Sequence, residues 1–349
     1  MSTHPFDVFL ELQEQQNGQD SIFQPTTFWE RATDELIECL REDNIQDFRR
    51  DAACLSYFVP TYGYPGLGLS SDLHYALSNM AKESKTDKHK LIIESFLSGH
   101  HHALADFKAI KSACDSSKNY VFDKFQESVI GSPIEQFALG NTLVSRASQN
   151  YMLGLLFILR HDPEANFTNV IEIGGGYGAL AELLFKSSLE TSTFINFDIN
   201  PTCIFADFYL SKAIPKYLAG SVQHEWPQKV DLNSLSGAFI RPNWDVTKLE
   251  GTIDLFVNFH SFQEMEPAVT RRYIQEMKRW EPQYLLLRNI KEGKQLATDV
   301  SVGVDTPITS QDYESWLQDE YSLIDKDSLI YGFVTADGFH SEISLWRRK

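Results

Sequence analysis

The residues of this chain with the clearest chemical use fall in three short stretches. The first is Val170 to Leu180, in which Glu172 precedes four glycines, Gly174, Gly175, Gly176 and Gly178, with Tyr177 among them. Glycines without a Cβ let a ligand lie against the main chain, and the N–H groups that open a following helix offer donors to an acceptor-rich ligand. The second is Asp198, about 20 residues past the glycines, where an acid accepts hydrogen bonds from ribose hydroxyls; Ile199 follows it. The third is Asp254 to Met265, an apolar run that ends in Asn258, His260, Ser261, Gln263 and Glu264. An imidazole titrates near neutral pH and can take a proton from a hydroxyl nucleophile, with Glu264 as a second base or as the group that orients the ring. Gln263, Ser261 and Asn258 are suited to holding ligand hydroxyls, Asn258 on the cofactor side.

The glycine stretch supports two readings. Gly174, Gly176 and Ala179 fit the G-x-G-x-x-A form of a dinucleotide fingerprint. The rival is Glu172-x-Gly174-x-Gly176-x-Gly178, which resembles motif I of the class I methyltransferases that use S-adenosylmethionine. A carboxylate two residues before the first glycine suits a ligand with an ammonium and a sulfonium. It suits a pyrophosphate poorly, because like charges a few Å apart repel strongly in a low-dielectric cleft. Glu172 therefore favours the methyl donor.

These residues have to be positioned by something, and the local pattern says what. From Asn169 onward strands alternate with helices: strand 169–173, helix 179–186, strand 193–198, helix 201–213, strand 238–241, strand 252–258, helix 267–280 and strand 284–290. A helix follows from Thr309 to about Glu320, and 328–335 with 339–346 read as a closing hairpin through Ala336-Asp337-Gly338. In such a parallel sheet ligands bind beyond the carboxyl ends of the strands, which is where all three stretches end. Pro242, Asn243, Trp244 and Asp245 follow another strand end and are placed to edge an adenine.

The first 165 residues show no strand pattern and read as an α-helical region: Phe28 to Leu40, with Phe28, Ala32, Leu36, Ile37 and Leu40 in phase, then 88–96, 103–113, 119–129, and 134–159 broken near Gly140. Residues 1 to about 25 are polar and Gln-rich and read as a loose arm. Tyr62 and Tyr64 lie in a loop with two prolines and three glycines, and are candidates for contact with a small polar substrate. His100, His101 and His102 are adjacent and so point in different directions, which fits a solvated helix start better than a metal site; no metal is expected.

The chain has 349 residues, 48 acidic against 31 basic, and a formal charge of −17. Its hydrophobic content of 42% is ample for sizeable cores. So negative a surface, with no long Lys/Arg run, disfavours nucleic acid and anionic membrane as partners. Four scattered cysteines without Cys-x-x-Cys read as reduced thiols, and neither a secretory signal nor an apolar run of bilayer-spanning length stands out, so a cytoplasmic location is expected.

Together with the glycine motif, the third stretch resembles the putative sugar O-methyltransferases, whose motif reads much like Asn-x-x-Ser-x-Gln-Glu-Met. Asn258, Ser261, Gln263, Glu264 and Met265 match it, and His260 stands outside it. Trp29 and Phe48-Arg49 resemble the Trp and Phe-Arg of that family's helical N-terminal part. The resemblance implies a Rossmann-like seven-stranded class I methyltransferase sheet over 166–349, preceded by a helical region over 1–165 that serves acceptor binding or oligomerisation. It implies S-adenosylmethionine held by Glu172, Gly174, Gly176, Tyr177, Gly178, Asp198, Ile199 and Asn258. It also implies a hydroxyl of a sugar or sugar-containing metabolite as acceptor, held by Ser261, Gln263, Tyr62 and Tyr64. Two alternatives stay open: an NAD-dependent oxidoreductase using Gly174, Gly176 and Ala179, and a non-catalytic interaction protein on the same fold.

Overall fold

The computed structural model describes residues 4–58, 69–298, 302–334 and 338–349. The N-terminal part carries helices α1 (Pro5–Asn17), α2 (Thr27–Arg41), α3 (Ala52–Phe58), α4 (Ser71–Lys82), α5 (Asp87–Ser98) and α6 (His100–Ser117). A hairpin of β1 (Gln136–Leu139) and β2 (Thr142–Ser145) leads into α7 (Arg146–His161). Then come β3 (Asn169–Ile173), α8 (Ala179–Lys186), β4 (Thr193–Asp198), α9 (Thr202–Ala213), β5 (Leu218–Gly220), β6 (Val230–Asp231), β7 (Gly237–Pro242) and β8 (Leu249–Glu250). The chain ends with β9 (Leu255–Phe259), α10 (Pro267–Arg279), β10 (Tyr284–Ile290), α11 (Ser310–Leu317), β11 (Tyr321–Asp327), β12 (Phe333–Val334) and β13 (His340–Arg348).

The main sheet runs β11-β13-β10-β9-β3-β4-β7-β5, with β12 added on β13. From β10 to β5 neighbouring strands are parallel, and β13 is antiparallel to both β10 and β11. The five parallel strands expected and a terminal antiparallel pair are thus present, extended by β5 at one edge and β12 at the other. β4, β7 and β9 are buried along their whole length, the pattern of strands covered on both faces. The chain winds outward through β4 and β7 on one side of β3, and through β9 and β10 on the other. The crevice of this doubly wound fold therefore opens above the carboxyl ends of β3 and β9.

Four expectations are corrected. The Gln-rich start is no loose arm: Pro5 opens α1, His4 Nδ1 accepts from the Phe6 N–H at 3.2 Å, and Val8, Phe9, Leu12 and Gln16 form its buried face. The glutamines between them mask that spacing in the sequence. The helix expected over 134–159 starts only at Arg146, and the stretch before it is the β1–β2 hairpin, which turns at Gly140 (φ +61). Residues 119–129 are turn and irregular chain, because Glu127 and Ser128 spend their N–H groups on Leu143 O (3.0 Å) and Glu182 Oε1 (2.8 Å). Finally, the long partner of β13 is β11, upstream of the segment expected; Asp327 Oδ1 accepts the N–H groups of Leu329, Ile330 and Tyr331 at 2.7–2.9 Å and turns the chain where the apolar pattern suggests a strand.

The helical part is locked to the sheet by a buried charge. Arg49, fully buried, donates to Glu135 Oε1 (2.7 Å) and Glu127 Oε1 (2.6 Å), and its guanidinium lies 4.8 Å from the Tyr177 ring centroid. Glu127 in turn accepts the Ser145 N–H at 2.5 Å, which ties in the start of α7. Phe48 packs edge-on against Tyr177, Phe205 and Tyr209, so that residues of α8's approach and of α9 share one aromatic cluster with the N-terminal part.

Candidate active site

The glycine turn is shaped by what lies around it. Gly174, Gly176 and Gly178 have φ of +70, +58 and +95, a region that L side chains rarely adopt. A Cβ at Gly174 would overlap Ser261, and one at Gly178 would press on Leu210. Above Gly176 the space is open: a Cβ there would have Phe58 as its nearest side chain, at 3.7 Å.

The N–H groups of this turn are already committed. Gly174 donates to Phe197 O (2.9 Å), Gly175 to Asn196 Oδ1 (3.0 Å), Gly176 to Asp198 Oδ2 (3.0 Å) and Gly178 to Gly175 O (3.1 Å). These four glycine N–H groups are therefore spent inside the protein, and any donors for a ligand would be those that open α8. Asp198, whose Oδ1 accepts the Ile199 N–H at 2.8 Å, presents a carboxylate at the end of β4 instead. Burial pushes it up to about 7, against the pull of the Ile199 and Gly176 N–H groups, with Glu264 adding to the rise.

A cavity of ≈ 420 Å³ opens over this turn. Of the residues expected to hold a ligand, it is lined by Gly174, Gly176, Tyr177, Asp198, Ile199, His260, Ser261, Gln263 and Glu264. Three strand ends thus converge, those of β3, β4 and β9. Glu172, Gly178 and Asn258 do not line it. Glu172 is fully buried under the turn, accepts from Tyr151 Oη at 2.7 Å, and lies so close to Gly175 that a Cβ there would meet its carboxylate. Burial pushes it up to about 8, the Tyr151 hydrogen bond pulling down and Asp198 adding to the rise. It packs under the turn and does not line the cavity. Gly178 caps α8. Asn258 is a lock: its Nδ2 donates to Ile173 O (3.0 Å) and Ser261 Oγ (2.5 Å), and its Oδ1 accepts the Phe262 N–H (3.2 Å). Tyr62 and Tyr64 lie outside the described residues. Trp244 and Asp245 are buried away from the cavity, Asp245 held by Arg241 Nε (2.9 Å) and Lys248 (2.7 Å), while their neighbour Asn243 does line it.

His260 sits just past β9 with φ +68, an uncommon conformation for a residue with a Cβ. Its N–H donates to Arg288 O at 2.7 Å, which pins the backbone to β10. Burial, then the charges of Arg288 and Lys294, push its imidazole down to about 3, with a Gln263 hydrogen bond opposing. The ring is therefore neutral at physiological pH and only weakly basic. Gln263 is itself fixed, its Oε1 accepting the Ile290 N–H at 2.7 Å and its N–H donating to Asn289 Oδ1 at 3.1 Å. Glu264 pairs with Lys294 at 3.0 Å; burial pushes its carboxyl up, against Lys294 and a hydrogen bond from Trp29.

Sequence reasoning missed the contribution of α2 and of Lys294. Phe28 and Trp29 line the cavity, Lys294 Nζ lies 4.6 Å from the Phe28 ring centroid, and Thr26 Oγ1 donates to Glu264 O at 2.8 Å. The helical periodicity of α2 is legible in the sequence, but which helix face meets a strand end more than 200 residues away is not. Tyr151 and Phe259, stacked 4.8 Å apart at 9°, complete a wall, and Phe333 and Tyr57 add to it.

No family model and no curated protein matches the chain. Solved structures similar to it include a magnesium protoporphyrin IX methyltransferase from Synechocystis PCC 6803 with bound SAM, at 13% identity and a TM-score of 0.37, covering 70% of this chain and 97% of that one. Another is an S-adenosylmethionine-dependent methyltransferase from Clostridium acetobutylicum ATCC 824, at 11% identity and a TM-score of 0.38, covering 58% of this chain and 92% of that one. A third is the small RNA methyltransferase HEN1, at 16% identity and a TM-score of 0.37, covering 55% of this chain and 24% of that one. They do not bear on whether this chain takes a nucleic acid. What the site can do follows from its own geometry.

Proposed function

We propose that this chain transfers the methyl group of S-adenosylmethionine to an oxygen of a small-molecule acceptor. The observation that carries the reading is the turn whose four glycine N–H groups are spent inside the protein, beside a carboxylate, Asp198, that lines the cavity. A pyrophosphate needs free donors and no nearby anion; a donor with an ammonium and a sulfonium needs the reverse. Asp198 thus takes the place given to Glu172 by the sequence; an acid there meets ribose hydroxyls in either kind of ligand, so it is the spent glycine N–H groups that weigh against the NAD-dependent reading.

The residues present fit the methyl donor. Asp198 is placed for ribose hydroxyls or positive charge, and the open space over Gly176 admits a ligand to the main chain. Asn243 Oδ1, buried with no hydrogen-bond partner among the described residues, belongs to the same cavity wall and suits an amino group such as that of adenine. Bound there, S-adenosylmethionine would supply an electrophilic methyl group. This chain's own residues would bring the acceptor oxygen close and in line, a gain worth about 7–11 kcal/mol in well-oriented systems. His260 would take the hydroxyl proton as the new C–O bond forms, and Glu264, fixed by Lys294, would orient the acceptor. The resemblance at the end of β9 points to a sugar hydroxyl as the acceptor.

Titration calorimetry with S-adenosylhomocysteine tests the donor site. Binding is expected in the native chain and lost in Gly174→Arg and Asp198→Ala. No binding to the native chain, or binding unchanged in both variants, rejects the reading; a response to a nicotinamide dinucleotide alone would favour the oxidoreductase.

A further inference from the structure

Several of the polar side chains that line the cavity are already engaged within the protein. Gln263 is held by Ile290, and Asn243 Nδ2 donates to Phe23 O (3.1 Å) and Tyr273 Oη (2.9 Å). Tyr151 Oη is spent on Glu172, and Ser261 Oγ on Ile173 O at 2.9 Å. Lys294, the one lysine or arginine among the described residues lining the cavity, is neutralised by Glu264. A saccharide brings several hydroxyls, each needing a partner once out of water, and a phosphorylated or carboxylated acceptor needs a cation that is not already paired.

The wall also carries the buried hydroxyls of Thr202 and Ser341, which have no hydrogen-bond partner among the described residues, and the amides of Asn150 and Gln295, but its larger part is flat and apolar. Phe28 and Trp29 meet edge to face at 5.6 Å, Tyr57 tilts against Trp29 at 5.8 Å, and the Tyr151–Phe259 stack lies on another side. Such surfaces favour an aromatic ring by offset or edge-to-face contact.

We propose that the acceptor is a planar, uncharged aromatic compound carrying one or two hydroxyl groups, seated against Trp29 and Phe28 with a hydroxyl turned to His260. The inference rests on the methyl-transfer reading and departs from the sugar acceptor that the resemblance implies. The weakly basic state of His260 agrees with it. A phenol loses its proton near pH ~10, as tyrosine does, whereas an aliphatic hydroxyl holds its proton far more tightly, as water does, and asks far more of a base. In the transfer the acceptor oxygen gains the methyl carbon, the sulfur–carbon bond breaks with its electrons staying on sulfur, and the phenolic proton goes to the imidazole.

The test is transfer of labelled methyl from S-adenosylmethionine to a panel of phenols and catechols, run beside free saccharides, nucleotide sugars and RNA. Phenolic products are expected, with Trp29→Ala raising acceptor KM roughly tenfold while kcat falls less and S-adenosylhomocysteine affinity holds. Trp29→Phe, which keeps a ring, should restore most of the KM, and serves if the alanine variant fails to fold. Methylation of saccharides or RNA without phenols, or no phenol turnover by a chain that binds S-adenosylhomocysteine, overturns the acceptor and leaves the donor site standing. Absence of S-adenosylhomocysteine binding overturns both.

Discussion

His260 joins a left-handed backbone, a backbone hydrogen bond to β10 and a neutral ring in a cavity wall. Strained backbone of this kind persists only where neighbours over-determine it, and such residues concentrate at functional sites. His260→Ala is expected to lower kcat by about 10²–10⁴-fold with donor affinity little changed, as read by steady-state kinetics and calorimetry; an unaltered kcat removes it from the mechanism. Glu172 and Asp198 make a second prediction, about pH. Their folded-state values, about 8 and about 7, lie above the unfolded ones near ~4, so the stability they favour is complete below about pH 4 and is lost as pH rises through 7 and 8. Glu172→Gln should therefore raise the thermal midpoint of the ligand-free chain near pH 8 and leave it unchanged near pH 4. An equal shift at both pH values would show that the residue acts by packing alone.

α2 and the segment around Arg49 join the helical part to the site. Thr26, Phe28 and Trp29 reach Glu264 and Lys294, so α2 forms one wall of the cavity that the strand ends of the sheet open. Arg49 is a buried cation shared by two buried carboxylates. Removing it leaves Glu127 and Glu135 facing each other without compensation, which costs about 3–5 kcal/mol for a buried pair broken on one side. Arg49→Ala should lower the denaturant midpoint accordingly; a loss under about 1 kcal/mol would mean that the carboxylates take up protons at little cost.

The proposed division at residue 165 describes two sequence patterns, yet one hydrophobic cluster runs from Val8 and Leu36 through the buried face of α7 to the sheet residues Ile171, Phe256 and Leu286. α7 is buried from Arg146 to Leu159. A chain of residues 166–349 alone would expose the sheet face that α7 covers, and is expected to aggregate or to give a broad, non-cooperative melt. A cooperative transition for that fragment, read by circular dichroism and calorimetry, would establish the sheet part as an independent unit.

Much is legible in the sequence because local pattern and buried environment agree. Apolar runs of five or six residues separated by helical periods mark the parallel strands, and strand-end glycines, Asp198 and His260 fall on one edge because side chains past parallel strands share that edge. What is illegible depends on partners distant in the chain. Glu172 looks like a ligand carboxylate until Tyr151 is found against it, and Asn258 like a cofactor contact until Ile173 and Ser261 claim its amide. The hairpin of β1 and β2, the place of β11 beside β13, and the aromatic wall from α2 are likewise set by long-range packing. Short-range composition determines where the chain bends and which residues can do chemistry. Which of them face a ligand depends on hydrogen bonds closed across tens or hundreds of residues, and those bonds exist only once the chain is folded.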